Sequence, residues 1–118
     1  MLMGVVLDVQ ADDAVWVAGD CNLTCTGCTI TGNDEVFEVG GNARLTLVGS
    51  TVTARGGEAL YVAGMASATV TGSRITGRPA GYVSGMASLT TQGTVWSGGV
   101  QRGGEGRIVN QGGNTGVR

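Results

Sequence analysis

Apolar and polar residues alternate along this chain, and the alternation restarts at regular intervals. Gly19, Gly41, Gly64 and Gly85 stand 22, 23 and 21 residues apart, and each is followed eight residues later by another glycine: Gly27, Gly49, Gly72 and Gly93. Counted from the first glycine of each pair, the positions two and four before it hold Val17/Val15, Val39/Phe37, Val62/Leu60 and Val83/Gly81. Four and six after it stand Leu23/Cys25, Leu45/Leu47, Ala68/Val70 and Leu89/Thr91; eleven after it stand Ile30, Val52, Ile75 and Trp96. The residues between are mostly Thr, Ser, Arg or Glu. A period of two predicts strands with one face inward. Three such strands fall in each unit, separated by glycine corners, where glycine tolerates positive φ and close backbone approach. A repeat of this length predicts a solenoid, and the Val, Thr and Ile content predicts strands rather than helices. The expected architecture is all-β: a three-sided stack of about four full coils of 21–23 residues.

Segments such as Val17 to Thr31 and Leu60 to Thr76, with their V-x-G start and T-x-T strands, resemble coils of the right-handed parallel β-helix, the pectin-lyase-like fold. The resemblance covers about Ala14 to Gly98, within a β-helix expected over residues 14–100, and implies parallel sheets whose equivalent residues stack ~4.8 Å apart. Residues 1–13 are expected as a feeding strand or partial coil, and residues 101–118, Gly-rich and polar, as an arm or tail around a strand candidate at Arg107-Ile108-Val109. The fold hosts many unrelated functions, so activity has to be read from side chains.

Stacking turns the period into ladders. Trp16, Glu38, Tyr61 and Tyr82 share one outward position, three before each reference glycine. Exposed aromatics on a rigid sheet suit a protein interface or stacking on sugar rings, while outward aromatics also simply fit a pleated surface. Asp13, Glu35 and Glu58 share a second position, preceded by Asp12 and Asp34 in the first two units. Stacked carboxylates repel, so they suit either a cation or solvated turns. Pectate lyases, which the chain resembles in fold, hold calcium on clustered aspartates, so calcium is the one cofactor the resemblance implies. Threonine rows (Thr24/Thr26, Thr46, Thr69/Thr71, Thr90, and Thr29/Thr31, Thr51/Thr53, Thr76) resemble the ice-binding faces of some β-solenoids, but Val48, Gln92, Arg74 and Val95 interrupt them.

Composition narrows the field. There is no histidine among the 118 residues, which leaves out His-dependent triads and the histidine of polygalacturonases. Arg55 and Arg78 match the base position of fold-related lyases only in being arginines fourteen after a glycine; they read equally as turn residues. Net charge −2, with all seven cations arginine, gives no footprint for nucleic acid or an anionic membrane. No apolar run approaches the roughly 18–20 residues of a membrane helix, and the start lacks the pattern of a signal peptide. Cys21, Cys25 and Cys28 read as core thiols more readily than as a metal site, since zinc normally takes four N/S ligands.

The expectation is therefore a non-enzymatic assembly module without a cofactor. It would be a rigid peg that self-associates, a trimer being favoured, or that decorates a virion, fibre or surface filament. A carbohydrate-binding helix using the aromatic row is the alternative, and a calcium-dependent polysaccharide lyase fragment the third reading.

Overall fold

The computed structural model describes residues 2–3, 6–8 and 15–116, with side chains described from residue 16 onward. The described residues form strands and turns without a helix, and the strands make three parallel sheets wound as a solenoid of about four turns. Strands are numbered β1 to β16 along the chain. The first sheet stacks β1 (Leu2–Met3), β4 (Asn22–Thr26), β7 (Arg44–Val48), β10 (Ser67–Thr71), β13 (Ser88–Gln92) and β16 (Arg107–Asn110) in that order. The second stacks β2 (Val6–Asp8), β5 (Thr29–Gly32), β8 (Thr51–Ala54), β11 (Arg74–Thr76) and β14 (Val95–Ser97). The third stacks β3 (Val15–Val17), β6 (Phe37–Val39), β9 (Leu60–Val62), β12 (Gly81–Val83) and β15 (Val100–Arg102).

The register is the one the glycine period predicts. Leu23, Leu45, Ala68 and Leu89 pair in sequence, as do Ile30, Val52, Ile75 and Trp96. All of these but the half-buried Leu23 are buried, and the inward residues of the three sheets make one core. One coil departs from the apolar pattern in two compensating ways. Gly81 stands where Phe37 and Leu60 stand in earlier coils, and Trp96 stands where Ile75 and Val52 stand. A Cβ placed on Gly81 would lie 2.9 Å from Trp96 Cζ3, so the indole occupies the volume that the missing side chain leaves. Interiors are close-packed, so a large residue at one inward site demands a small one beside it.

The two glycine sets serve the corners differently. Gly64 has φ +66°, and a Cβ there would lie 3.1 Å from Gly41 N of the coil beneath. Gly72 has φ +57° but open space around a Cβ. The first set is needed for handed backbone and close approach, the second for backbone alone.

The segment expected as an arm or tail continues the winding instead. β15 pairs with β12 and β16 with β13, and Gly104 takes the corner conformation (φ +56°) above Gly85. Gly104 follows Gly85 by only 19 residues, so this coil is shorter than the others and escapes a strict period. Its composition is polar because only some of its inward sites still pack against the core. Arg102 follows Val83 on the valine ladder, and Asn110 follows Thr91; both are exposed, while Val100 and Ile108 are half-buried. Backbone bonding carries the coil across nonetheless, as in Glu105 N–H to Gly85 O and Gln111 N–H to Thr91 O, each 2.9 Å.

Candidate functional site

The outward row of the third sheet is the feature that the fold leaves available. Strand alternation turns Trp16, Glu38, Tyr61 and Tyr82 away from the buried valines beside them, and pairing puts them in one file that ends at Gln101. Trp16 is 70% exposed; Glu38, Tyr61 and Tyr82 are half-buried. The tyrosine rings are parallel within 8° with centroids 5.5 Å apart. Parallel rings so close cannot lie side by side in one plane, so they stack with an offset, each overlapping part of one face of the other. Ser84 Oγ donates to Tyr61 Oη at 3.4 Å, and the ring of Tyr82 leans over Gly103, where a Cβ would come 2.5 Å from its hydroxyl. Glu38 separates Trp16 from this pair.

Two exposed methionines border the row. Met65 and Met86 occupy the corner after the third sheet, one residue past Gly64 and Gly85, and are 65% and 63% exposed. Sequence reasoning passed over them, although an apolar residue directly after a positive-φ glycine points away from any strand's inward face. A shallow depression of about 420 Å³ lies beside Met86, lined also by Ala87, Ser88, Glu105 and Arg107.

The acidic ladder is only partly described. Glu35 and Glu58 lie in adjacent coils at the corner before the third sheet, linked there by Val36 N–H to Glu58 O at 3.1 Å, and both are half-buried. Asp13 and Asp12 lie outside the described residues. Asp34 packs its carboxylate over Gly57 of the next coil, and Arg55 Nη1 donates to Asn33 Oδ1 at 2.7 Å. Among the described residues no group of three or more His, Cys, Asp or Glu is placed to hold a metal ion. Arg55 and Arg78 are both exposed but out of register: the Arg78 amide bonds Gly57 O rather than Ala54 O.

The cysteines separate. Cys21 is exposed, while Cys25 and Cys28 are buried, and none of the three is in a disulfide. Burial, reinforced by Cys28 alongside, pushes the Cys25 thiol up to about 12, so it stays protonated and inert. Cys28 belongs to a ladder that the sequence reading missed. The residue after each second glycine is Cys28, Ser50, Ser73 or Thr94, and each backbone N–H donates to the side chain of the next coil. Cys28 N–H reaches Ser50 Oγ at 3.2 Å, Ser50 N–H reaches Ser73 Oγ at 3.1 Å, and Ser73 N–H reaches Thr94 Oγ1 at 3.3 Å. Thr94 N–H ends the relay on Asn114 Oδ1 at 2.9 Å. Each hydroxyl in turn donates to a carbonyl, as Ser73 Oγ does to Thr71 O at 3.0 Å. The signal was present as a short polar residue behind every second glycine. The ladder is structural, because all its links are satisfied within the solenoid.

On the first sheet, Thr24, Thr46, Thr69 and Thr90 form an unbroken outward file, while Val48 and Gln92 interrupt the file of Thr26 and Thr71. A comparison of the chain with protein-family models, curated proteins and solved structures finds no match, which leaves these geometries to carry the functional reading.

Proposed function

We propose that this chain is a non-enzymatic structural module, a rigid solenoid that joins copies of itself or a larger assembly through the outward face of its third sheet. The observation that carries the reading is the row from Trp16 to Tyr82 with Met65 and Met86 at its border, large apolar groups held outward on a scaffold of parallel ladders. Such residues are the usual anchors of protein interfaces, and a stiff sheet presents them with little entropy left to lose. We read the winding as that of the right-handed, pectin-lyase-like β-helices, on the strength of the V-x-G repeat. A virion decoration, a fibre or a surface filament is the setting that suits it.

The sugar-stacking alternative draws less support. A platform for sugar rings needs aromatic faces open to solvent, and Tyr61 and Tyr82 each lay part of one face on the other. Size-exclusion chromatography with light scattering tests the reading. The expected result is a multiple of the 11.8 kDa chain mass, reduced to one chain by the Trp16→Ala/Tyr61→Ala double substitution without loss of the β circular-dichroism signal. A native chain that stays monomeric at every concentration and captures no assembly overturns it.

A further inference from the structure

Charge is distributed along this solenoid in a way that net charge conceals. Residues 1–38 hold seven of the nine carboxylates and no arginine, whereas residues 39–118 hold all seven arginines and only Glu58 and Glu105. Coils stack in chain order, so this sequence asymmetry becomes an axial one. It is carried beside the aromatic row. Asp20, Asp34, Glu35 and Glu38 lie on the third sheet or its two corners in the early coils; Arg55 and Arg78 lie at the corner before the same sheet in the later ones, where Glu58 and, after the sheet's last strand, Glu105 are the remaining carboxylates.

We infer that the third-sheet face binds a second copy of this chain side by side and antiparallel. The inference rests on the lateral-association reading above and adds its partner and direction. In an antiparallel pair the corner that carries Asp34 and Glu35 in each copy faces the corner that carries Arg78 in the other, twice over by symmetry, and these contacts outnumber the one like-charged approach, Asp20 toward Glu105. A parallel pair or a parallel trimer brings each acidic coil level with the same acidic coil of its neighbour, Glu38 beside Glu38, and juxtaposed like charges oppose association. Reversing the file of five about Tyr61 brings the two tyrosine pairs together at the centre. It sets Glu38 against Tyr82 of the second copy, a carboxylate opposite a phenol, and Trp16 against Gln101. Such an interface is isologous and closes at two chains, so it needs no further surface. Met65 and Met86 supply apolar contact at its border.

Native Cys21 supplies a probe of direction, because it is exposed and the other two thiols are buried. Sedimentation velocity on the full chain should give a dimer at low ionic strength. Raising sodium chloride from roughly 0.05 to 0.5 M should weaken it about tenfold, since screening shortens the reach of surface charge. With pyrene on Cys21, the antiparallel dimer holds its two labels at opposite ends, ~19 Å or more apart along the axis by strand spacing, and gives no excimer emission. Mixing that protein with a pyrene-labelled Cys21→Ser/Gln101→Cys variant should produce excimer. Excimer from Cys21 labels alone means parallel association; it overturns this inference and leaves the lateral reading standing. A dimer indifferent to salt overturns the charge argument. A monomer under all conditions overturns this inference and the self-association arm of the reading above.

Discussion

The coil from Gly41 to Gly64 and the last described coil, Val100 to Gly116, follow the same backbone path with different interiors. In the first, Leu45, Leu47, Val52, Leu60 and Val62 are all buried to within 1%. In the second, the matching sites hold half-buried Val100 and Ile108 and exposed Arg102 and Asn110. The main-chain ladder continues across this change, so coil-to-coil hydrogen bonding carries the winding on where only Val100 and Ile108 still pack against the core. Side chains decide where the core stops. At that boundary a polar cluster replaces apolar contact. Trp96 Nε1–H donates to Thr91 Oγ1, Thr91 Oγ1–H donates to Asn114 Oδ1, and Asn114 Nδ2 donates to Thr91 O, each at 2.9 Å. Asn114 Nδ2 also donates to Asn110 Oδ1 at 2.7 Å. Solenoids need polar caps, because a bare terminal coil exposes apolar surface and unpaired strand edges. This cluster satisfies the polar groups at that boundary with a single asparagine at its centre.

Truncation in the two coils should break the comparison most visibly. Leu47→Ala opens a cavity in a site with no solvent access and should cost about 2–5 kcal/mol in urea denaturation. Ile108→Ala, half-buried, should cost under about half as much. Equal losses would mean that the last coil shares the core after all. The hydroxyl relay offers a smaller test. Ser73→Ala strands the Ser50 amide in a buried corner and should cost about 1–3 kcal/mol, whereas Ser73→Thr, which keeps the oxygen, should recover most of it. Asn114→Ala strands the Thr94 amide and removes the centre of the cap. It should release protection of residues 95–116 from hydrogen exchange while the middle coils stay protected. Global loss of protection would show the last coil to be part of one cooperative unit.

The mildest effect is on pH. The Cys25 thiol ionises near 9.0 in an unfolded chain and near 12 in the folded one. The folded state therefore holds this proton more tightly, its contribution is complete below about pH 9, and stability falls as pH rises toward 12. Cys25→Val should lessen the alkaline loss measured by denaturation between pH 9 and 11. An unchanged slope would assign that loss to other groups.

Much of the scaffold was legible because its cause is local. A glycine that must take positive φ and a strand that must alternate leave marks at fixed spacing, and the four glycine pairs mark two of the three corners of each coil. The outward placement of Trp16, Tyr61 and Tyr82 follows from the same alternation. What the period did not carry is how residues about a coil apart meet. The stacking of Tyr61 on Tyr82, the exchange of volume between Gly81 and Trp96, and the relay from Cys28 to Asn114 all depend on axial register and packing. So does the last coil, whose shortened corner breaks the period while its amides still find the carbonyls beneath. Local periodicity determines which way a side chain points; only the stacked coils decide what it touches, because the contacting groups come from turns of the solenoid far apart along the chain.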